Sequence, residues 1–529
     1  MSYNAPGEIM KIALTIHPFS SSFRSVIWPI LTLCFLAVTL ATGAPVPAAP
    51  AGPVDLTVLH LNDTHGALLP FVYRGVTPEM EMGGAAHFAA LINEERAKDP
   101  EGTLLLSAGD MFQGNAMSNR FYGAPMLEVM NLLRFDAMTI GNHEFDWGQK
   151  KLDEIHSRAQ FPFLCANITD AQGQTVVGSK PYIVLERKGI RIAIIGLSPP
   201  DIRKLTKPTN VLSLKTVDPA KAVKKILKEL RPQKADLVLV LSHLGLEADK
   251  RLAKKVEGID LIVGGHSHSV VRQPIRENDT LITQAGYFGV FLGRLNLRLD
   301  PRANPRLALL DGSGLIPVTA GPDRPADAEV ARIVEAYHSR IRAEFAEVVG
   351  ETTVNLIYSG DGETVMGNLI CDAMRASMNA DLAIQNGGGI RAGIEQGPIT
   401  REELFTVLPF DNLVVLVDLT GKQLWDLVAQ ANGGRRRTIQ LSGARAVFEA
   451  DAQKRLTLRS LEVNGQPVKP KSIYRVATND FLYMGGEGVK PLETKTRPRF
   501  GPTVFDATMN YLKHNSPVSP VQEGRVVIQ

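Results

Sequence analysis

Five short polar segments between residues 63 and 268 constrain this chain more than anything else in it. They are Asp63-Thr64-His65, Gly109-Asp110, Gly141-Asn142-His143-Glu144-Phe145-Asp146, Ser242-His243 and Gly264-Gly265-His266-Ser267-His268. Each stands just past an apolar run, at 58–61, 104–107, 138–140, 238–241 and 261–263. Apolar runs of that length read as buried strands. Open α/β sheets gather their functional loops at the carboxyl ends of such strands.

The surrounding pattern agrees. Strand-like runs at 54–61, 103–107, 136–140, 191–197, 235–241, 259–263, 281–285 and 293–299 are interleaved with helical periodicity at 83–98, 125–134, 218–230 and 248–256. This predicts an α/β domain with helices outside a central sheet structure. At 529 residues the chain needs two or three domains. A Pro/Asp/Arg-rich stretch at 321–326 marks a boundary, and 328–348 reads as a connecting helix with a solvated charged face. Beyond it, helices at 366–378 and 421–431 mix with strands at 382–385, 413–419 and 456–463, an α+β pattern.

A formal net charge of +3 gives no electrostatic basis for binding a nucleic-acid polymer or an acidic membrane surface. The N-terminus is distinct. Residues 25–54 carry no charge; Lys11 and Arg24 precede the apolar stretch 26–40, and Ala41-Thr42-Gly43-Ala44 follow it. That order predicts a signal peptide over 1–44, a linker over 45–53, and a secreted or periplasmic protein. Retention of the leader as an N-terminal anchor is the alternative. Without the leader, Cys165 and Cys371 remain, too few for a disulfide framework, and both are expected as buried free thiols.

The polar segments carry metal chemistry. Asp63 and His65 would point the same way on an extended strand end, where side chains repeat every second residue. Asp110 follows a glycine, and its two oxygens can bridge two cations. Asn142 offers an amide oxygen; His243, His266 and His268 offer imidazoles. Oxygen and nitrogen donors of this mix suit borderline divalent metals. Seven suffice for two ions that each keep a position open to water. His143 and Asp146, at i and i+3, form a separate pair in which a carboxylate orients an imidazole to stabilise or protonate a leaving oxygen. The alternative for Asp146 is to cap a helix starting near Trp147.

On these motifs the chain resembles the calcineurin-like metallophosphoesterases. More narrowly it resembles the bacterial 5′-nucleotidases, a group that includes UDP-sugar hydrolases and animal ecto-5′-nucleotidase. Leu59-His60-Leu61-Asn62-Asp63-Thr64-His65-Gly66 and the 141–146 segment carry the resemblance. It implies a four-layer α/β/β/α catalytic domain over 54–322, a connecting helix over 323–349 and an α+β nucleotide-binding domain over 350–529. Asp63, His65, Asp110 and His268 would hold one divalent metal, and Asp110, Asn142, His243 and His266 a second (Zn, Mn, Co or Mg). His143 and Asp146 match the catalytic pair. The implied reaction removes the 5′-phosphate of a nucleotide by in-line attack of a metal-activated hydroxide. UDP-sugar pyrophosphatase, 2′,3′-cyclic nucleotide phosphodiesterase and thiosulfohydrolase are the enzymatic alternatives. A non-catalytic nucleotide-binding surface protein is the alternative of another class.

In the C-terminal part, Asn386-Gly387-Gly388-Gly389-Ile390-Arg391 lets backbone approach a ligand and offers a guanidinium to an anion, unless it is a plain glycine turn. Phe410 and Phe481 sit among turn residues and could sandwich a planar base, with Asn412 reading its edge, although most phenylalanines pack in cores. The resemblance implies the binding roles: Phe410 and Phe481 as the aromatic clamp, Asn386 and Arg391 as the substrate loop, Asn412 at the base, and Glu487 in place of an aspartate that binds ribose hydroxyls. The chain also departs from the family pattern. An arginine usual before Glu363 is missing, with Gly360 and Asp361 near its place, and Val365 stands where Asn is usual. Loss of that cation should weaken monophosphate binding by about 1–3 kcal/mol. Arg435-Arg436-Arg437 reads as a solvated loop rather than a substitute.

Overall fold

Strands buried on both faces read as unbroken apolar runs, and two sheets are built around such runs. Thr103–Ser107, Leu237–Ser242 and Leu261–Gly264 are buried along their whole length. The computed structural model describes residues 52–529 apart from 73–79, 234, 301, 304, 322–323, 359–361, 433–437, 454 and 495. The leader, most of the linker, Gly360, Asp361 and Arg435-Arg436-Arg437 therefore lie outside the described residues.

The first sheet runs in the order Leu307–Leu309, Phe291–Leu299, Val54–Leu61, Thr103–Ser107, Ala137–Thr139 and Phe163–Leu164. The second runs Ile275–Glu277, Thr280–Thr283, Leu261–Gly264, Leu237–Ser242, Ile190–Leu197 and Tyr182–Arg187. In the first sheet Val54–Leu61, Thr103–Ser107, Ala137–Thr139 and Phe163–Leu164 are parallel and Phe291–Leu299 and Leu307–Leu309 antiparallel; in the second the four inner strands are parallel and both edge strands antiparallel. The sheets face each other through one buried cluster, with Leu56, Val58, Leu104 and Leu106 from the first and Ile192, Ile194, Leu239 and Leu241 from the second. Helices Ala85–Lys98, Ala124–Leu132 and Gln149–Arg158 bury their apolar faces on the outside of the first sheet. Pro219–Leu230 and Leu246–Lys255 do the same on the second, the former capped by Asp218, whose carboxylate accepts from Lys221 N. The layers follow the expected α/β/β/α order. Ala328–Phe345 is the expected long helix, and its apolar side, with Val330, Val334, Ile341 and Phe345, joins the outer core of the first sheet.

The C-terminal part centres on a five-stranded mixed sheet in the order Gln440–Ser442, Leu382–Gln385, Ile473–Asn479, Leu413–Thr420 and Arg499–Thr503. Helices Val365–Met378 and Val504–Asn515 cover one face. Gly421–Ala431 and a four-stranded sheet share a core with the other. Leu382–Gln385 and Ile473–Asn479 are parallel neighbours, so the loops beginning at Asn386 and Asp480 leave the same edge. Cys165 and Cys371 are buried and free. Among the described residues no helix is long and apolar enough to cross a membrane.

Polar side chains enter the core between the two large sheets: Thr139 Oγ1 donates to Leu197 O of the opposite sheet at 3.2 Å, and His60 reaches Thr283. His60 is fully buried, its Nε2 is 3.3 Å from Thr283 Oγ1 on the opposite sheet, and burial pushes its imidazole down to about 3, so it is neutral. Its cross-strand partner is Gly293, where an added Cβ would stand 2.0 Å from His60 Nε2. The glycine makes the room. Gly293→Ala is therefore expected to destabilise the fold by about 1–3 kcal/mol, the usual cost of overpacking. A urea unfolding midpoint unchanged from wild type would contradict this account.

Candidate functional site

Register brings the polar segments together. Leu61 pairs in parallel with Ser107, so the backbone continues beyond both strands with Asp63 N donating to Gly109 O at 2.9 Å and His65 N to Asp110 O at 3.0 Å. In the second sheet Ser242 pairs with Gly264, which sets His243 beside Gly265 and His266. The two sheets end at one level, and seven donors converge there. Asp63, His65 and His268 offer ligand atoms within 4.8 Å of one another, as do Asp110, His243 and His266. His65, Asp110 and His143 form a third such group, so Asp110 belongs to two of the three.

The means of convergence differ from the sequence expectation. Asp63 and His65 do not lie on an extended strand end; they have φ of 49° and 48°. Asp110, His266 and His268 also have left-handed backbone, at 54°, 73° and 54°. Side chains swing to a common point because the chain curls at each position, a conformation costing a non-glycine residue about 1–3 kcal/mol and concentrated at functional sites.

Several hydrogen bonds set the ring tautomers. His65 Nδ1 donates to Gln113 O at 2.9 Å and His243 Nδ1 to Ala108 O at 2.6 Å. Each therefore presents an Nε2 lone pair to the site, the second-sphere pattern of metal-binding imidazoles. His65 Nε2 lies 3.1 Å from His268 Nε2, and His243 Nε2 lies 2.9 Å from Asp110 Oδ2 without the alignment of a hydrogen bond. Among the described residues, Asn142 Oδ1 likewise has no hydrogen-bond partner and is buried. Burial disfavours charge on His243, but Asp110 and Asp63 outweigh it and push the imidazole up to about 10. The field of the two carboxylates thus demands positive charge here, which a proton or a divalent cation can satisfy. The donor set, the orphaned atoms and this field all fit a metal centre.

His143 Nδ1 and Asp146 Oδ2 are 2.6 Å apart, and His143 N donates to Asp110 Oδ1 at 2.8 Å. Burial opposes protonation of His143, but Asp146 and Asp110 together raise its pKa above the ordinary imidazole value. The helix-capping alternative for Asp146 fails. The next helix begins at Gln149 and is capped at Gly148, while the second oxygen of Asp146 accepts from Thr206 Oγ1 at 2.5 Å.

Glu144 is a participant the sequence did not single out. Its buried carboxylate accepts from Asp110 N, Met111 N and Gly141 N at 2.9, 2.9 and 2.7 Å, stapling two of the polar loops together. Burial, then Asp110, pushes it up to about 7. Thr206 was also missed; it lies in an irregular segment with no periodicity to mark it. Glu144 stood inside a quoted segment, but its partners are backbone amides, which no residue pattern reveals.

The six residues expected in the C-terminal part, Asn386, Arg391, Phe410, Asn412, Phe481 and Glu487, all line one cavity of about 910 Å³ together with Asp110, Asn142, His143, Asp146, His266 and His268. Asn386 Nδ2 donates to Glu487 Oε1 at 3.2 Å, and Asn479 Nδ2 donates to Asn386 Oδ1 at 2.8 Å. Phe410 reaches furthest: its ring stacks on His143 at 5.8 Å and 25°, with the Arg391 guanidinium 5.9 Å from its centre. Asn119 Nδ2 donates to Pro409 O at 2.7 Å, fixing the Phe410 turn against the catalytic side.

Known proteins resemble this chain in sequence and fold. Residues 56–270 match the family model of calcineurin-like phosphoesterases, and residues 348–494 that of the 5′-nucleotidase C-terminal domain. The chain is 31% identical to the trifunctional nucleotide phosphoesterase YfkN of Bacillus subtilis over 89% of its own length, but spans only 35% of that protein. It is 30% identical to human 5′-nucleotidase, covering 90% of this chain and 91% of the human one. The crystal structure of a 5′-nucleotidase precursor from Thermus thermophilus superposes with a TM-score of 0.82 at 31% identity, covering 90% of this chain and 99% of that one. The chain belongs to the calcineurin-like phosphoesterases that carry a 5′-nucleotidase C-terminal domain, a family of metal-dependent phosphoester hydrolases.

Proposed function

We propose that this protein is an exported dinuclear-metal phosphohydrolase that removes the 5′-phosphate from nucleotides. The observation that carries the reading is the cavity lined together by Asp110, Asn142, His266 and His268 of the candidate ligand set, the His143–Asp146 pair and the six C-terminal residues. The charge-free stretch 25–54 supports export to the periplasm or medium. The division into residues 54–322, 323–349 and 350–529 belongs to the same reading.

Asp63, His65, Asp110 and His268 would hold one divalent cation, and Asp110, Asn142, His243 and His266 the other. Bound cations would acidify water and offset the charge that builds on the phosphoryl oxygens during in-line displacement. The chain's own residues do the rest. Asp146 fixes His143 by its Nδ1 and leaves Nε2 for the departing ester oxygen. Phe410 and Phe481 grip the base, Asn412 meets its edge, and Glu487 takes the ribose hydroxyls. Asn386 and Arg391 hold the substrate beside the metal centre.

A nucleotide sugar cleaved at its pyrophosphate is the second reading. The cavity, at about 910 Å³, stands near the top of the ~300–1,000 Å³ range of small-molecule pockets and has room for more than a mononucleotide.

Purified protein assayed with Mn²⁺, Zn²⁺ or Co²⁺ against AMP, ADP, UDP-glucose, a cyclic nucleotide and bis-p-nitrophenyl phosphate is expected to favour AMP. A strong preference for the diester would overturn the assignment. Asp110→Ala should abolish hydrolysis, and His143→Ala should lower kcat on AMP by about 10²–10⁴-fold, the range for general acid–base groups. Glu144→Ala, which releases three backbone amides without touching a ligand atom, should weaken metal affinity by about 10–100-fold, as outer-sphere losses do. Metal titration by calorimetry checks this, and unchanged affinity would exclude the stapling role.

A further inference from the structure

Three consecutive residues of an otherwise irregular segment each engage a different part of the site. Leu205 O accepts a long contact from Asn142 Nδ2 at 3.5 Å, leaving the Oδ1 of that amide for the metal centre. Thr206, 2% exposed, donates from Oγ1 to Asp146 Oδ1 at 2.5 Å. Lys207 Nζ crosses to the C-terminal part and meets Asp480 Oδ2 at 2.6 Å, beside Phe481. The segment is fixed to the catalytic turn from below, because Asn210 Nδ2 donates to both Phe145 O and Asp146 O, at 3.0 and 2.8 Å.

We propose that Thr206 is the positioning residue of the His143–Asp146 pair, and that the Lys207–Asp480 bridge ties its placement to docking of the C-terminal part over the metal centre. A carboxylate held through one oxygen can pivot about its Cβ–Cγ bond. Asp146 is held through both, Oδ2 to His143 and Oδ1 to Thr206, so the imidazole it carries has one orientation. Asp480 is 1% exposed, and among the described residues its Oδ1 has no hydrogen-bond partner, so Lys207 is the cation that makes burying this carboxylate tolerable. Pulling the two parts away from each other would strand that charge and release the residue adjacent to Thr206. Aligned leaving-group chemistry thus goes with an assembled substrate site.

This inference rests on the nucleotide-hydrolase reading, and leaving-group dependence tests it. AMP departs as an alkoxide that needs help from His143; p-nitrophenyl phosphate departs as a stable phenolate that does not. Thr206→Val is expected to lower kcat on AMP by about ten- to a hundredfold, the value of a hydrogen bond to a charged group. The loss on p-nitrophenyl phosphate should be at least fivefold smaller. Thr206→Ser, which keeps the hydroxyl, should restore AMP turnover to within about twofold of wild type. Lys207→Met should show the same selective loss on AMP. Metal content, followed in parallel, should stay at wild-type values in all three variants; the melting temperature should stay there for Thr206→Ser and fall for Lys207→Met, which leaves the buried Asp480 carboxylate without its cation. Equal losses on both substrates would mean structural damage and overturn the positioning role, as would an unaffected Thr206→Val. If wild type cleaves p-nitrophenyl phosphate but no nucleotide, the substrate reading fails and this inference with it. An active wild type with unaffected variants sinks the inference alone.

Discussion

The structure depends on placing two carboxylates, Asp63 and Asp110, in a fully buried site among imidazoles. Isolated buried charge is prohibitively costly, so such a site persists only where opposite charge and oriented donors are supplied. Both are visible. His266 N and Asn62 Nδ2 donate to Asp63; His143 N donates to Asp110. Burial favours the neutral acid, but chiefly His243, with His268, holds the Asp63 carboxyl down at about 2. Four residues outside the ligand set serve this arrangement, two by side chain and two by backbone carbonyl. Asn62 ties Asp63 to the Gly286 carbonyl and the Ala285 amide of the opposite sheet, Glu144 gathers three amides, and the positions of Gln113 and Ala108 set imidazole tautomers.

Backbone strain follows from the same demand. A metal centre needs donors from several chain segments aimed at one point, yet parallel strands deliver them to one level pointing along the sheet. Left-handed turns at Asp63, His65, Asp110, His266 and His268 redirect them. That strain is held in place by the two sheets packed beneath, which face each other through one large aliphatic cluster crossed by the His60–Thr283 and Thr139–Leu197 contacts. Rigid layers below and curled ligand loops above are complementary parts of one solution.

Legibility in the sequence divided along physical lines. Periodicity located Leu382–Gln385, Gly421–Ala431 and Leu456–Val463 to the residue, because burial of one face is written into side-chain identity. Asp, Asn and His after apolar runs marked the site because those side chains carry the chemistry themselves. Glu144 and Thr206 were invisible for the opposite reason. One acts on backbone amides and the other through a second side chain, and neither relation has a spacing. The extended D-x-H reading failed because period-two reasoning assumes β backbone, and φ near 50° at Asp63 and His65 is a tertiary outcome that the local sequence does not specify. Asp146 stood open between two roles, and the contact with His143 is the one the structure shows. Its short polar side chain suits a helix cap as well as an imidazole, and only the start of the next helix at Gln149 decides between them.

The Phe410–His143 stack links recognition to chemistry. In the proposed reading the ring that grips a base on one side also limits the tilt of the imidazole that assists the leaving group. A substrate without a base would leave that ring free to shift, and His143 would be constrained only through Nδ1. Binding energy from the remote nucleoside can then be used to fix the geometry at phosphorus, which raises kcat as well as lowering KM. The same logic explains why discrimination need not reside in the phosphate contacts. In that reading the arginine that the family resemblance expects near Gly360 would add affinity for the monophosphate, whereas Phe410 stands against the imidazole that assists the leaving group.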